Sequence, residues 1–353
     1  MRFAFIVTLV ALLCLISTPA SQAWSGKEHI LMTRLAVEQL LADPATPPAM
    51  KQWLEASVKP RFDAARMQEF VLHDKVGIAA PTMDGLPYWS VEPDLRAKED
   101  KLIEPFAVNE QKLHFVDMEY FNADERKRTF ADDLSGCPKA ADFPRDLTDA
   151  RYKKSGVLPF AIQDFYGRLT KALKDGAAAN PLESDAVKAA GRLAHYLEDN
   201  TQPHHATEDY RSRSYFPPGG KARVPNIHFD MEYRLLDDET VASPELRKEF
   251  WDAMQKAVAD MQDTGDLADL WKLSLETSIA SYQALPLIGK AGAVSYPKTD
   301  AGYGVWKLEM FYHAKGQFGG REMSIMEIKV DRMATAVKRV ARVWRKAWDE
   351  AHQ

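Results

Sequence analysis

Apolar positions along the chain recur mainly at the three- and four-residue spacing of amphipathic helices, and strand-like alternation is sparse. Ser25–Ala42 carries Ile30, Leu31, Leu35, Ala36, Leu40 and Leu41 on one stripe. Val157–Lys174 repeats the pattern through Phe160, Ile162, Phe165, Leu169 and Leu173. Ser184–Glu198 does so through Ala190, Leu193, Ala194 and Leu197, and Pro203 stops it. Further helices are predicted over Pro244–Met261, Asp266–Leu285 and Ile325–Trp348. The stretches 75–113, 131–150, 211–227 and 286–305 are rich in Pro and Gly. The first is longer than an ordinary connection, and Pro81, Gly85, Pro87 and Pro93 argue against a long helix inside it. With no internal repeat or low-complexity linker, the pattern predicts a single all-α domain of clustered helices with long Pro/Gly-rich loops.

The first 23 residues stand apart. Arg2 is followed by an almost unbroken apolar run from Phe3 to Ser17, then Pro19 and Ser21-Gln22-Ala23 with small residues at the −3 and −1 positions. That three-part arrangement predicts a secretory signal peptide over 1–23, cleaved before Trp24. The apolar run is short of the ~20 residues that span a bilayer. Export to the periplasm or outside the cell is expected, with no membrane span left after cleavage. Of the two cysteines, Cys14 leaves with this segment and Cys137 remains in a loop, so no internal disulfide is expected. The net charge of −5 over 353 residues offers no basic domain for sequence-specific DNA binding. A nucleic-acid hydrolase stays possible, because bound metal ions supply positive charge locally.

The chemistry concentrates in the histidines, nine in all. In His195-Tyr-Leu-Glu-Asp199-Asn-Thr-Gln202-Pro203-His204-His205, His195 and Asp199 are four apart and share a helix face. His205 follows in the turn. His228-Phe-Asp-Met-Glu232 repeats the imidazole–carboxylate spacing; His114 opens His-Phe-Val-Asp117, and His29 lies five residues beyond Trp24. One such pair on its own reads as a surface hydrogen bond. Two pairs with three more histidines read as a nitrogen–oxygen ligand set suited to zinc, with too many ligands for one ion.

These residues resemble the zinc-dependent phospholipase C and P1/S1 nuclease superfamily. The landmarks are an N-terminal Trp, an early His, an Asp, His-Phe-x-Asp, His-x3-Asp-x2-Gln-Pro-x-His and a final His-x3-Asp/Glu, in that order along most of the chain. The resemblance implies a 24–353 catalytic domain built around three zinc ions. Asp74, His114, His195 and Asp199 would hold one; His205, His228 and Glu232 a second. The third would take the α-amino and carbonyl groups of Trp24 with His29 and a bridging Asp199. Asp74 would also be the catalytic base that orients the attacking water, with Asp63 and His73 as rival candidates for its place. Phe115 and Asp117 are expected to contact substrate. His204, one position off the pattern, is expected at the surface or behind the ligands.

The implied reaction is phosphodiester hydrolysis by a metal-activated hydroxide, on phospholipid or on single-stranded nucleic acid. No stable protein partner is implied. His195-Tyr196-Leu197, Glu232 and Gly77, where nucleases carry Arg, resemble the phospholipase branch. The Trp24-to-His29 spacing and Gly219-Gly220-Lys221 leading to Asn226-Ile227-His228 resemble the nucleases. A phospholipase C-type lipid hydrolase is the leading expectation, a single-strand nuclease the alternative, and an inactive metal-bound binding module the third. Lys27 and Lys75 stand where the resemblance places choline-binding residues, which points to an anionic or uncharged headgroup, or a nucleotide.

Overall fold

Ser25 opens the first helix of the computed structural model, which describes residues 24–353 except 75–83, 98, 123–133, 135–136, 177–179, 217–223, 239 and 301. The signal peptide therefore lies outside the described residues, as do Lys75, Gly77 and the Gly219-Gly220-Lys221 run. The Ser25 hydroxyl accepts from the Glu28 backbone N–H while the Glu28 carboxylate accepts from the Ser25 N–H, a reciprocal cap for α1 (Gly26–Ala42). Helices α2 (Pro48–Ala56) and α3 (Ala64–Leu72) follow. Then come α4 (Leu86–Trp89), α5 (Glu92–Arg96) and α6 (Tyr152–Ser155). The predicted second and third stripes appear as α7 (Leu158–Asp175) and α8 (Asp185–Asp199), the latter capped by the Ser184 hydroxyl. The chain continues through α9 (Ile227–Tyr233), α10 (Pro244–Asp260), α11 (Leu270–Tyr282), α12 (Leu285–Ser295) and α13 (Leu308–His313). It ends in α14 (Ile325–Ala351), whose Ser324 and Glu327 form a second reciprocal cap. The protein is all-α. Among the described residues the strands form four antiparallel ribbons of two strands each, the longest pairing Lys315–Phe318 with Arg321–Ser324.

Two expectations about loops are corrected. The prolines of 75–113 do exclude a long helix among the described residues, with Pro87 and Pro93 in the first turns of the short α4 and α5. The Pro/Gly-rich stretch 286–305, however, opens with the helix α12, whose first turn holds Pro286, where the missing N–H has no partner to lose. The helix expected from Asp266 begins only at Leu270, because the Asp269 carboxylate caps it by accepting from the Lys272 N–H.

The long α14 packs against α1, α7, α8 and α10, and α7 lies along α8. Trp344 of α14 is buried and its indole N–H donates to the Ala190 carbonyl, fixing α14 to α8 at 3.1 Å. Each fully buried aliphatic side chain in this interface contributes about 1.5–3 kcal/mol. One contiguous apolar cluster results, and the C-terminal end of α8 is set inside it.

Candidate metal centre

The last turn of α8 carries His195 and Asp199, both fully buried. The turn beyond is pinned to α11: Asn200 donates to the Ser274 carbonyl and Ser278 hydroxyl, and the Ser281 hydroxyl donates to the Thr201 carbonyl. Gln202 then accepts from the His204 N–H through its side-chain oxygen and donates from its amide nitrogen to Glu232 at 2.6 Å. The Gln-Pro turn thus joins the α8 ligands to those of α9.

Gly191, one turn before His195, governs what approaches from the other side. A Cβ there would stand 2.4 Å from the Cβ of Trp89, so only glycine lets α4 close on α8. Arg192 then grips Glu92 of α5 with two 2.8 Å hydrogen bonds. Together these contacts set the Ser90 carbonyl 2.8 Å from His195 Nδ1 and bring the Asp94 carboxylate 3.8 Å from His114 and 3.9 Å from His195.

Three buried groups that could hold a metal ion result: His29, His195 and Asp199; Asp94, His114 and His195; and His205, His228 and Glu232. Two of them share His195. The Asp199 carboxylate lies 3.0 Å from His114, 3.2 Å from His195 and 3.4 Å from His29, in reach of both. His195 and His205 each give Nδ1–H to a backbone carbonyl, of Ser90 and His114 respectively. A carbonyl only accepts, so in the neutral rings both Nε2 lone pairs are exposed to the cluster. His29 Nδ1 faces Glu198 at 2.6 Å, which leaves its Nε2 on the Asp199 side.

The electrostatics separate the two halves. Burial raises the Asp199 carboxyl, but His195, His114 and His29 outweigh it and hold Asp199 well below the usual carboxylate range. Burial lowers His29, yet Asp199 and Glu198 outweigh this and hold it up at about 10. In the other half burial prevails: His205 and His228 are pushed down, and Glu232 well up, with Glu28 adding to the rise. Neutral imidazole, the form that binds metal, is therefore favoured at His205 and His228.

Trp24 is buried, and its indole N–H donates to the Glu198 carbonyl at 2.9 Å, one residue before Asp199. His204 is buried behind His228, stacked at 5.0 Å, and bonded through Nε2 to the Ser212 hydroxyl. Phe115 is half-buried with the Lys112 ammonium 4.9 Å over its ring. The Asp117 carboxyl is buried outside the three groups; burial and the neighbouring Glu119 hold it well above the usual range.

Asp74 is placed elsewhere. Its carboxylate pairs with Arg66 and its carbonyl accepts from Lys27, so it joins none of the three groups. Asp94 is the carboxylate that groups with His114 and His195. The rivals are also accounted for: Asp63 caps α3 and His73 is exposed. Lys27 is fully buried and donates to the Asp74 and Leu236 carbonyls. Glu198 is a further residue the sequence did not mark. It holds His29 and accepts from Thr33, and no spacing rule links it to α1.

No family model and no curated protein matches the chain. Among solved structures, the alpha-toxin of Clostridium perfringens from avian strain SWCP is similar at a TM-score of 0.40 and 13% identity. The match covers 95% of this chain and 65% of that one, so the chain spans about 65% of the length of the structure it matches.

Proposed function

We propose that the three groups form one zinc centre and that the protein is a phosphodiesterase acting on phospholipid. The observation that carries this is the set of buried polar atoms with no hydrogen-bond partner: both oxygens of Asp94, and Nε2 of His114 and His205. Burying such groups unpaired is costly, and a cation between them removes the cost. Imidazole with carboxylate is a donor set that suits zinc. The residues present therefore fit the metal.

Asp94, His114, His195 and Asp199 would hold one ion, and His205, His228 and Glu232 a second. His29, Asp199 and the α-amino and carbonyl groups of Trp24 would hold the third. Bound zinc supplies a water of lowered pKa and stabilises charge on the phosphoryl oxygens. Ser90, Glu198 and the His114 carbonyl orient the imidazoles, and Gln202 orients Glu232. Asp94 takes over the water-orienting role first assigned to Asp74.

Lipid is preferred because Glu232 and His195-Tyr196-Leu197 match the phospholipase branch, and Ala97, three residues after Asp94, is not the Arg of nucleases. Single-strand nuclease activity is the second reading, supported by Asn226-Ile227-His228. No helix among the described residues is long and apolar enough to cross a membrane, and a periplasmic or secreted location follows from the expected signal peptide. Zinc-loaded protein starting at Trp24 is expected to release phosphorylated headgroups from phospholipid, faster than it digests single-stranded DNA, and to lose activity on chelation. Rapid DNA digestion without lipid cleavage would select the second reading, and bound zinc with no turnover the binding module.

Asp94→Asn is expected to lower kcat by about 100-fold or more and to weaken zinc binding, as loss of a ligand charge does. Asp74→Asn removes a partly exposed ion pair and is expected to cost no more than ~1 kcal/mol of stability with near-normal turnover. Equal losses in the two variants would restore Asp74 to the site.

A further inference from the structure

An open cleft of about 670 Å³, within the size range of small-molecule sites, has one wall on α9, the helix that also carries His228 and Glu232. Phe229 and Asp230 of α9 are part of that wall, with Arg211, Arg213, Arg234, Tyr296 and Tyr303. The segment 210–212 couples it to the metal-ligand cluster. The Tyr210 ring stands edge-on to His228 at 6.2 Å, and the Arg211 guanidinium lies 5.1 Å from the Tyr210 ring centroid. Ser212 has φ 53°, a left-handed conformation unfavourable for a residue with a Cβ, and its hydroxyl is held by His204, which stacks on His228. The turn that presents Arg211 is therefore fixed by the residues behind the centre.

The cleft has unbalanced positive charge. Arg234 is taken up by Asp230 at 2.7 Å and Asp238 at 3.3 Å, and Tyr296 also bonds Asp230. Asp209 directs its oxygens to the Arg213 and Ser214 backbone N–H groups. Among the described residues no acid pairs with Arg211 or Arg213, and the buried Arg211 Nε has no hydrogen-bond partner. Guanidinium groups bind phosphate and carboxylate through paired N–H donors, and they repel a quaternary ammonium.

We propose that this cleft seats the headgroup of an anionic phospholipid, one that carries a phosphate or carboxylate beyond the scissile phosphodiester, and that Arg211 and Arg213 select it. The inference rests on the phosphodiesterase reading above. It replaces Lys27, whose ammonium is held in the core, as the source of positive charge beside the headgroup.

The test uses zinc-loaded protein and its Arg211→Gln and Arg213→Gln variants on mixed micelles of phosphatidylinositol 4-phosphate, phosphatidylserine or phosphatidylcholine. Thymidine 3′-phosphate 5′-(4-nitrophenyl phosphate) supplies the same second charge on a nucleotide. Binding of inorganic phosphate, followed by calorimetry before and after chelation, gives a readout independent of turnover. The two anionic lipids are expected to exceed phosphatidylcholine in kcat/KM by about ten-fold or more. Each variant is expected to shrink that ratio by about ten-fold, mainly through KM, and to weaken phosphate binding by a similar factor after chelation. An unchanged ratio and unchanged phosphate binding in both variants overturn the proposal. So does arginine-dependent cleavage of the nucleotide with no lipid cleavage. Arginine-dependent phosphate binding without turnover of any phosphodiester overturns the hydrolase reading and supports the anion site. Turnover that ignores headgroup charge does the reverse. Arg213 is exposed, so Arg213→Gln separates loss of selection from loss of fold.

Discussion

Asp199→Asn is expected to lower phosphodiesterase kcat by about 1,000-fold or more, equivalent to ~4 kcal/mol of transition-state stabilisation, and to empty at least one metal position. The expectation follows from its place between three imidazoles, at 3.0 Å from His114, 3.2 Å from His195 and 3.4 Å from His29. An amide keeps the shape but removes the charge, so the two groups that share His195 lose their common counter-charge. Glu232 contacts His228 and Gln202 in one group only. Glu232→Gln should therefore be milder and should spare the ions nearer His195. Metal content and turnover measured on both variants decide the matter, and near-normal metal and kcat in Asp199→Asn would remove the bridging role.

The second large effect is expected at the chain's start. In the proposed centre Trp24 contributes its α-amino nitrogen, a donor that exists only after the peptide bond to Ala23 is cut. An amide nitrogen has its lone pair delocalised into the carbonyl, whereas a free amine can give it to a metal. With a pKa near ~8, the amine yields its proton to zinc around neutral pH. The buried Trp24 indole donates to the Glu198 carbonyl, beside Asp199 in sequence. Protein retaining Ala23 before Trp24 is expected to lose one zinc and about 100-fold or more in kcat. Signal-peptide cleavage would then complete the centre, keeping the precursor inactive before export. Equal zinc content and equal turnover in the two forms would show that the amino group is not a ligand.

Much of this was legible because helices write their faces into sequence. The stripes of α7 and α8 match their buried sides, whereas α1 is buried on every face from Gly26 to Arg34, and the four-residue spacing puts His195 with Asp199 and His228 with Glu232 on common faces. The prolines of 75–113 rule out a long helix there but are compatible with the first turns of short ones, as Pro87 and Pro93 are in α4 and α5. Asp94 lies on the second of these, and no periodicity in five residues marks it. The 40-residue separation of Asp74 from His114 was treated as an enlarged loop, while Asp94 stands at half that distance and is delivered by the α4–α8 contact at Gly191. A close helix approach is a three-dimensional property that no local pattern in 75–113 records. Glu198 was missed for a related reason. It adjoins Asp199 in sequence but faces α1, and its partner His29 is 169 residues away.

The central claim is that the buried imidazoles and carboxylates form one three-metal centre. The most direct test is elemental analysis by plasma mass spectrometry of purified protein beginning at Trp24, after exhaustive dialysis against metal-depleted buffer. Three zinc ions per chain are expected. One tightly held ion or none, with an intact fold, would contradict the account.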